Sequence, residues 1–322
     1  MKQLAAATLA VIVLCIGLTA RAAKFPERPV TIVVPTTPGG IADTTARILS
    51  EKLTAIWDVP VIVENRPGVG TLLGAQHVLK QDREGYTLLL GFTELTTLPL
   101  LQPQSGIDVL REFQPVVGLI SMPVILLTRP GIQASDHQSL VKLMQSSPGK
   151  YTYGSNGHAS IGQLHTEMYA QSVGVKMLHV PYRGASESIT ALVGGEVDVV
   201  LTVASPNIVR YIEAGRLKVY ATLAENRIPK LPDVPTMAEL GYPGLNASVW
   251  YGLLAPAGVP SGIINEINEG VRAALDRPET KHKLTAMGAK VTADSVASFQ
   301  LFFKKEHDQW NALAADLDLV RN

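Results

Sequence analysis

Two adjacent glycines lie where an apolar segment of the chain gives way to a helical pattern. The stretch PTTPGGIAD, from Pro35 to Asp43, follows the apolar run VTIVV and precedes TTARILSEKLTAIW. The first N–H groups of a helix have no intrahelical partner, and glycine lets an anion approach them closely. The stretch is therefore typical of either an anion-binding loop or a tight turn in which Asp43 caps the helix.

Nucleotide phosphates fit this loop poorly. A Walker loop requires Gly-x4-Gly-Lys-Ser/Thr, and no lysine follows Gly40. A Rossmann fingerprint requires G-x-G-x-x-G, whereas Gly68, Gly70 and Gly74 are one residue out of that spacing. The pattern therefore argues against a nucleotide-binding protein.

Two later segments repeat the combination of glycine with small and hydroxylated residues. GSNGHASIG, from Gly154 to Gly162, and YRGASES, from Tyr182 to Ser188, each follow a predicted strand and begin a predicted helix. Ligands of open α/β sheets bind beyond the carboxyl ends of the strands. Loops from two such sheets that face one cleft would form a cage of N–H and hydroxyl groups, which suits a small organic anion.

Motifs for catalysis or metal binding are scarce. The sequence has no G-x-S-x-G elbow and no H-E-x-x-H motif. His158 and His165 are seven residues apart, whereas histidines that share a metal are usually three or four apart, so we expect ordinary loop or surface histidines. Asp198 is either an acid–base group or, as we expect, a side chain that caps a strand entrance.

Three other side chains near these segments have two interpretations each. Trp250 and Tyr251 are either core aromatics or part of a cleft wall. Arg183 either contributes a cation to the YRGASES loop or is solvated. The sequence alone leaves these alternatives open.

Composition excludes several classes of protein. The chain has 322 residues, of which 46% are hydrophobic and 17% charged, below the roughly 25% charged content of average globular proteins. Lysine plus arginine equals aspartate plus glutamate at 28 each, so nothing indicates a nucleic-acid partner. The length is sufficient for two domains with large buried cores.

The N-terminus has the pattern of a secretory signal. Lys2 is followed by an apolar run from Leu4 to Leu18 and by a small-residue cleavage site at Ala20-Arg21-Ala22, so we expect residues 1–22 to be removed. The alternative is an uncleaved anchor, but the run is shorter than the roughly 20 residues that span a bilayer. Cys15, the only cysteine, lies inside this run. A mature chain without disulfides fits a bacterial periplasm.

Apolar segments alternate with helical patterns along the rest of the chain, which predicts an α/β protein with parallel sheets. The two amphipathic segments after residue 260 have no later strands to cover. We therefore expect the chain to visit a second domain and then return to the first, leaving a cleft between two sheets.

Several blocks of the sequence resemble one family over nearly the whole mature chain. FPERPVTIVVPTTPGGIADTTAR, VIVENRPGVGTLLGAQHV, DREGYTLLLG, YGSNG, HVPYRGA, GGEVDVV, LPDVPTMAELGYPG and WYGLLAPAGVP are similar to the Bug family, the extracytoplasmic receptors of tripartite tricarboxylate transporters. The resemblance implies a type II periplasmic-binding-protein fold, with residues 23–122 and 246–322 as lobe 1 and residues 123–245 as lobe 2. It also implies a monomeric receptor that binds a small carboxylate and interacts with membrane permease subunits. Neither enzymatic activity nor a cofactor is expected.

The same resemblance supplies candidate ligand residues. The positions that match the family's ligand loops, together with Thr202 after the VDVV strand, are Gly39, Gly40, Ile41, Asp43, Thr93, Ser155, Gly157, Ala159, Ser160 and Thr202. The family typically holds its ligand through main-chain groups and ordered waters, which agrees with neutral, glycine-rich loops.

This chain also departs from the family pattern. Thr36 replaces an aromatic residue, TELTTLPLL replaces a segment with His and Asn-Pro, and Thr202 stands where Asp is frequent. If Glu94 of the TELTTLPLL segment faces the cleft, it should favour a ligand with an amine and disfavour a tricarboxylate. A periplasmic sensor subunit or an enzyme on the same fold is the alternative function, because fold does not fix function.

Overall fold

The computed structural model describes residues 25–68, 71–158 and 160–317, and within these ranges it is an α/β protein as predicted. The strands are β1 (Val30–Val34), β2 (Val61–Asn65), β3 (Thr87–Phe92), β4 (Phe113–Thr128), β5 (Thr152–Ser155), β6 (Leu178–Pro181), β7 (Val199–Val203), β8 (Lys218–Thr222), β9 (Ser248–Pro256) and β10 (Lys290–Val291). The helices are α1 (Ile41–Trp57), α2 (Leu72–Leu79), α3 (Thr93–Leu101), α4 (Val109–Glu112), α5 (His137–Gln145), α6 (Ile161–Val173), α7 (Ala185–Gly194), α8 (Pro206–Glu213), α9 (Ser261–Asp276), α10 (Pro278–Ala286) and α11 (Val296–Leu317). The predicted signal peptide lies outside the described residues.

The first lobe is a five-stranded sheet in the order β2-β1-β3-β9-β4, with β10 beside β4. β1 pairs in parallel with β2 and β3, whereas β9 runs antiparallel to β3 and β4. Side chains alternate between the two faces of a strand, so Ile32 packs with α1 and α9 while Val33 packs with α2, α3 and α11. Helices on both faces explain why β1 is apolar throughout.

The long strand β4 belongs to both lobes. Its first part, residues 113–123, pairs with β9, and its last part, residues 124–128, pairs with β7 and β8. Beyond β7, the strands β5 and β6 extend the second sheet in parallel. The chain leaves the first lobe along β4 and returns to it in β9, which pairs with β3 and β4. The lobe limits given above remain a prediction.

Because β4 crosses both sheets, it fixes the relative direction of their strands. β1, β2 and β3 run in the direction of β4, so their carboxyl ends point towards the second lobe. β7 is antiparallel to β4, and β5 and β6 run parallel to β7, so their carboxyl ends point towards the first lobe. The loops that follow these six strands therefore face one another.

Helices of the two lobes also meet beside these loops. Leu100 of α3 and Trp310 of α11 form an apolar cluster with Ile161 and Leu164 of α6. The cluster connects the start of α6, which follows a candidate ligand loop, to the last turn of α3. In the part of the chain that the structure describes, no helix is both long and apolar enough to cross a membrane.

Candidate functional site

The predicted ligand residues lie around the facing loops of the two lobes. Gly39 and Gly40 lie between β1 and α1, and Ile41 and Asp43 lie in the first turn of α1. Thr93 begins α3, and Thr202 lies in β7. Ser155 ends β5, and Gly157 and Ser160 lie between β5 and α6. Ala159 lies outside the described residues. The residues come from four separate chain segments, and strand direction brings those segments to one cleft.

The loop between β1 and α1 leaves the N-terminus of a helix open. Gly40 is the N-cap of α1, and no side chain caps the helix. Gly39 and Gly40 are exposed, and their Cβ positions have no other part of the chain within 4 Å. Gly39 has a φ of +92°, a left-handed conformation that favours glycine. The positive end of the helix dipole is therefore accessible to an anion.

Asp43 holds this loop in place. Its Oδ2 accepts hydrogen bonds from Gly39 N at 3.0 Å and Arg47 Nε at 2.9 Å, and its Oδ1 accepts from Asn65 Nδ2 at 2.9 Å. The hydrogen bond from Arg47, with those from Gly39 and Asn65, lowers the pKa of Asp43 to about 2 against the opposing effect of burial. Asn65 Nδ2 also donates to the carbonyl of Thr36. Both carboxylate oxygens are thus engaged within the protein, and Asp43 positions the loop.

Three buried oxygen atoms without a hydrogen-bond partner lie just after β1, β2 and β3. They are Thr36 Oγ1, Thr71 Oγ1 and Glu94 Oε2. Buried polar atoms are nearly always paired, and an exception points to a water or ligand that completes the site. A Cβ atom on Gly74 would lie 2.7 Å from Cβ of Pro35, so α2 packs closely against the loop after β1. These three oxygens follow parallel strands, so they belong to the edge of the first sheet at which α1 also begins.

Thr93 and Glu94 are neighbours with different environments. Thr93 is fully buried, and its Oγ1 accepts a hydrogen bond from Trp250 N at 3.2 Å, which ties α3 to β9. Glu94 is half-buried, and burial raises the pKa of its carboxyl to about 7. Tyr251 lies opposite Phe92 on the neighbouring strand β9, and burial, followed by the Glu94 carboxylate, raises the pKa of Tyr251. The Phe92 and Tyr251 rings are 5.6 Å apart.

The loop between β5 and α6 is held by its own hydrogen bonds. Ser155 Oγ lies 2.7 Å from Nε2 of His179 and donates to the carbonyl oxygen of Gly157 at 2.8 Å. A hydroxyl has a single proton, so Nε2–H of His179 donates to Ser155 in this arrangement. Burial, followed by the effect of His158, lowers the pKa of His179 and favours its neutral ring. His179 therefore fixes the position of Ser155.

Sequence reasoning missed His179. Its strand, β6, pairs in parallel with β5, and this register sets Tyr153 opposite His179. The two rings stack at 4.8 Å. His179 is the first residue of the HVPYRGA block, just before a candidate loop. A prediction that β5 and β6 pair in parallel could have placed this histidine next to Ser155.

Side chains cap the helix that follows this loop. Ser160 is the N-cap of α6, and its Oγ accepts from Gln163 N at 3.3 Å and donates to Gly157 O at 2.7 Å. Asn156 Oδ1 accepts from Gly162 N at 3.2 Å. Two N–H groups of the first turn of α6 are therefore bound by side chains, unlike those of α1.

The other second-lobe segments contribute less. Gly184 is the N-cap of α7 without a side-chain cap, but the acidic Glu187 lies in the first turn and accepts from Arg183 N at 3.1 Å. The Arg183 side chain is exposed, as expected for a solvated arginine. Thr202 is half-buried opposite Ile125 of β4.

His165 is not a surface histidine, and that expectation was wrong. It is 2% exposed within α6, because its ring packs 5.5 Å from that of Trp310, and burial lowers its pKa to about 3. His158 is exposed and precedes the first residue of α6, Ile161, so the two histidines do not share a helix face.

Two other interpretations left open by the sequence are decided by contacts. Asp198 accepts hydrogen bonds from Arg129 Nε at 2.8 Å and Thr152 N at 2.9 Å at the start of β7, so it fastens the strand entrance. Trp250 and Tyr251 are buried aromatics on opposite faces of β9. Trp250 is 2% and Tyr251 8% exposed, so both are core aromatics.

A metal centre and a cavity away from the facing loops are two alternative kinds of site. Among the described residues, no group of three or more His, Cys, Asp or Glu side chains is arranged to hold a metal ion. A cavity of about 480 Å³ is lined by Leu110, Phe113, Gln300, Phe303 and neighbouring residues. It lies where β4 begins, at the end of the first sheet opposite to the facing loops.

Comparison with known sequences identifies relatives along most of the chain. A family model described as "Tripartite tricarboxylate transporter family receptor" matches residues 45–319. A Pseudomonas sp. (strain P51) protein, the "UPF0065 protein in tcbD-tcbE intergenic region", is 33% identical over 300 residues, covering 92% of this chain and 89% of that protein. Protein BugT of Bordetella pertussis is 31% identical over 288 residues, covering 89% and 88%.

Solved structures show the same architecture. The periplasmic binding protein BugD matches with a TM-score of 0.77 at 28% identity, covering 92% of this chain and 99% of that one. MatC from Rhodopseudomonas palustris with bound malate matches with a TM-score of 0.77 at 30% identity, covering 90% and 99%. Rpa4515 of R. palustris with adipate matches with a TM-score of 0.79 at 29% identity, covering 90% and 97%.

These similarities confirm the predicted fold, the periplasmic-binding-protein architecture with two α/β lobes. The family is one of receptors and not of enzymes, which confirms the prediction of a non-enzymatic protein. The resemblance noted in the sequence is confirmed as well: the chain belongs to the tripartite tricarboxylate transporter receptor family, together with the Bug proteins.

Proposed function

We propose that this receptor captures a small organic carboxylate between its lobes in the periplasm and delivers it to the permease subunits of a tripartite tricarboxylate-type transporter. The observation that carries the proposal is the uncapped N-terminus of α1, which opens towards the second lobe. MatC and Rpa4515, with malate and adipate in their structures, support a carboxylate ligand. Export of the chain by the signal peptide at residues 1–22, and a monomeric state, are part of the same proposal.

The ligand carboxylate would accept hydrogen bonds from N–H groups of Gly40 and Ile41 at the start of α1, with Gly39 leaving room for it. Asp43 keeps this loop in shape, and Thr93, whose Oγ1 accepts a hydrogen bond from Trp250 N of β9, borders the site at the start of α3. Closure of the second lobe would bring further residues into contact with the ligand, namely Ser155, Gly157, Ala159, Ser160 and Thr202.

A thermal-shift screen tests the receptor role. The mature chain, unfolded and refolded to remove any bound ligand, is mixed with mono-, di- and tricarboxylates, amino acids and aromatic acids. A ligand at 100 times its dissociation constant stabilises the folded state by about 2.7 kcal/mol, which raises the melting temperature by several degrees. A flat response of the folded protein to all of these acids would contradict the proposal.

Substitution of Gly40 tests the location of the site. In Gly40→Asp the new side chain enters open space and can cap α1, so stability should stay within about 0.5 kcal/mol of the wild type. Two like charges about 4 Å apart repel by about 4 kcal/mol at an effective dielectric constant of about 20, so carboxylate affinity should fall at least about a hundredfold.

The matched control is Pro260→Asp. Pro260 is the exposed N-cap of α9, also without a side-chain cap, and it follows the end of β9 that is remote from the cleft. Calorimetric titration should give wild-type affinity for this variant. Wild-type affinity in Gly40→Asp would show that the carboxylate binds elsewhere.

A further inference from the structure

Glu94 is an acid whose carboxyl oxygen Oε2 is left by the fold without a hydrogen-bond partner. It is the second residue of α3, directly after β3, at the edge of the first sheet that faces the second lobe. Its Oε2 is shielded from water and accepts no hydrogen bond, although the residue as a whole is only half-buried. A carboxyl oxygen in this situation loses the hydrogen bonds of water without replacement, which is unfavourable unless something else binds it.

The surroundings of Glu94 supply no cation. Burial raises the pKa of Glu94 to about 7 against a smaller lowering effect of its own backbone N–H, and no charged neighbour contributes. On the elements that pack against α3, the ionisable groups with raised or lowered pKa values are Tyr251 of β9, His165 and Tyr169 of α6 and Glu306 and Asp308 of α11. The same elements also carry Arg111, Glu112, Glu167, Lys304, Lys305 and His307, and none of these charges acts on the pKa of Glu94. His165 is held neutral by burial, and its partner ring is Trp310. Within the described residues, Glu94 therefore has no counter-ion.

We propose that Glu94 determines specificity by binding an ammonium group of the ligand, an inference that rests on the proposed function. The preferred ligands are then amino acids and related amino-carboxylates. The ligand carboxylate binds at the start of α1, and its ammonium group donates to the unpaired oxygen of Glu94. Both sites follow neighbouring strands, β1 and β3, at the same edge of the sheet. An ammonium group satisfies the buried carboxylate, whereas a second ligand carboxylate in the same place would repel it.

The proposal also fixes the direction of the pH dependence. An ammonium group stabilises the ionised form of Glu94, so binding below pH 7 must displace the proton that the free protein holds on this carboxyl. Affinity for an amino acid should therefore fall up to about tenfold from pH 8 to pH 6. A dicarboxylate favours the protonated form, and its affinity should change in the opposite direction over the same range.

Calorimetric titration with paired acids tests the inference. Each pair differs only by the α-ammonium group: L-glutamate with glutarate, L-aspartate with succinate, and L-valine with isovalerate. The wild-type protein should bind the ammonium-bearing member of its preferred pair at least about tenfold more tightly at pH 8. At pH 6.5, titrations in buffers of different ionisation enthalpy should show proton release on binding of that member.

Glu94→Gln keeps the shape of the side chain and removes its charge. It should abolish the preference within the pair, the proton release and the pH dependence, while binding of the acid without ammonium is retained or improved. Glu306→Gln is the matched control, because Glu306 is a second buried carboxyl with a pKa raised to about 7, and it binds Trp310 on α11. This control should keep the wild-type preference.

Two failures are distinguishable. If acids bind but both members of each pair bind equally, or if Glu94→Gln keeps the preference, Glu94 does not select an ammonium group and the receptor role stands. If no carboxylate of either kind binds to the folded protein, the proposed function fails and this inference fails with it.

Discussion

The helix starts at the two main ligand loops are built in opposite ways. At α1 the N-cap is Gly40, the loop is exposed, and no side chain caps the helix. At α6 the N-cap is Ser160, and Ser160 and Asn156 both bind N–H groups of the first turn. The loop before α1 is held by hydrogen bonds to the carboxylate of Asp43, in the first turn of the helix. The loop before α6 is held by hydrogen bonds among its own residues.

This difference indicates a division of roles between the lobes. At an uncapped helix start, the backbone N–H groups of the first turn can donate hydrogen bonds to a ligand. At a capped start, some of these N–H groups already donate to side chains of the protein. The first lobe also contains the unpaired oxygens of Thr36, Thr71 and Glu94. We infer that the first lobe supplies most of the binding energy and that the second lobe closes over a ligand already bound.

Among substitutions that remove a side chain holding one of the two loops, Asp43→Ala should have the largest effect. In Asp43→Ala the first loop loses three hydrogen bonds, so carboxylate affinity should fall at least about tenfold. The native pKa of about 2 against an ordinary value of 3.8 corresponds to about 2 kcal/mol of stability. Because the folded-state pKa is the lower one, this stability is present above about pH 4 and is lost as the pH falls towards 2.

Denaturant unfolding at pH 7 and pH 3, together with titration of ligand, measures both effects. The control is Asp136→Ala, since Asp136 is another aspartate with a lowered pKa at a helix start, the N-cap of α5. It should lose some stability, because the cap of α5 is removed, and no affinity. Equal loss of affinity in both variants would mean that Asp43 acts only through global stability.

Removing the cap of α6 should have a smaller effect, and on stability more than on binding. Ser160→Ala should destabilise the protein by about 1 kcal/mol, measured by denaturant unfolding. Affinity should fall less than tenfold, because the ligand is already held by the first lobe. A hundredfold loss of affinity would place the main binding contacts in the second lobe and reverse the comparison.

Much of the fold was predictable from local patterns, and much of the site was not. Apolar runs such as Val30–Val34 next to glycine-bearing loops predicted an α/β protein with the correct elements at both loops. The crossing of β4 between lobes was not predictable from the sequence, because its sixteen residues read as one apolar strand whichever partners it has. The facing of the loops depends on that crossing.

Side-chain environments were harder still to predict. Nothing in the local sequence indicates that His165 is buried, because the ring that covers it, Trp310, is 145 residues away in the chain. The pairing of Ser155 with His179 depends on strand register, which periodicity alone does not report. Glu94 was recognisable as an unusual residue, but only its burial shows that it has no partner.

Hydrogen exchange of backbone amides, with and without the carboxylate that binds most tightly in the screen, tests the division of roles most directly. The account predicts that the ligand slows exchange most in the first turn of α1, from Ile41 to Asp43, where no side chain caps the helix. Gly162 and Gln163 of α6, already bound by Asn156 and Ser160, should change less. Larger protection at Gly162 and Gln163 than at Ile41 to Asp43 would contradict the account.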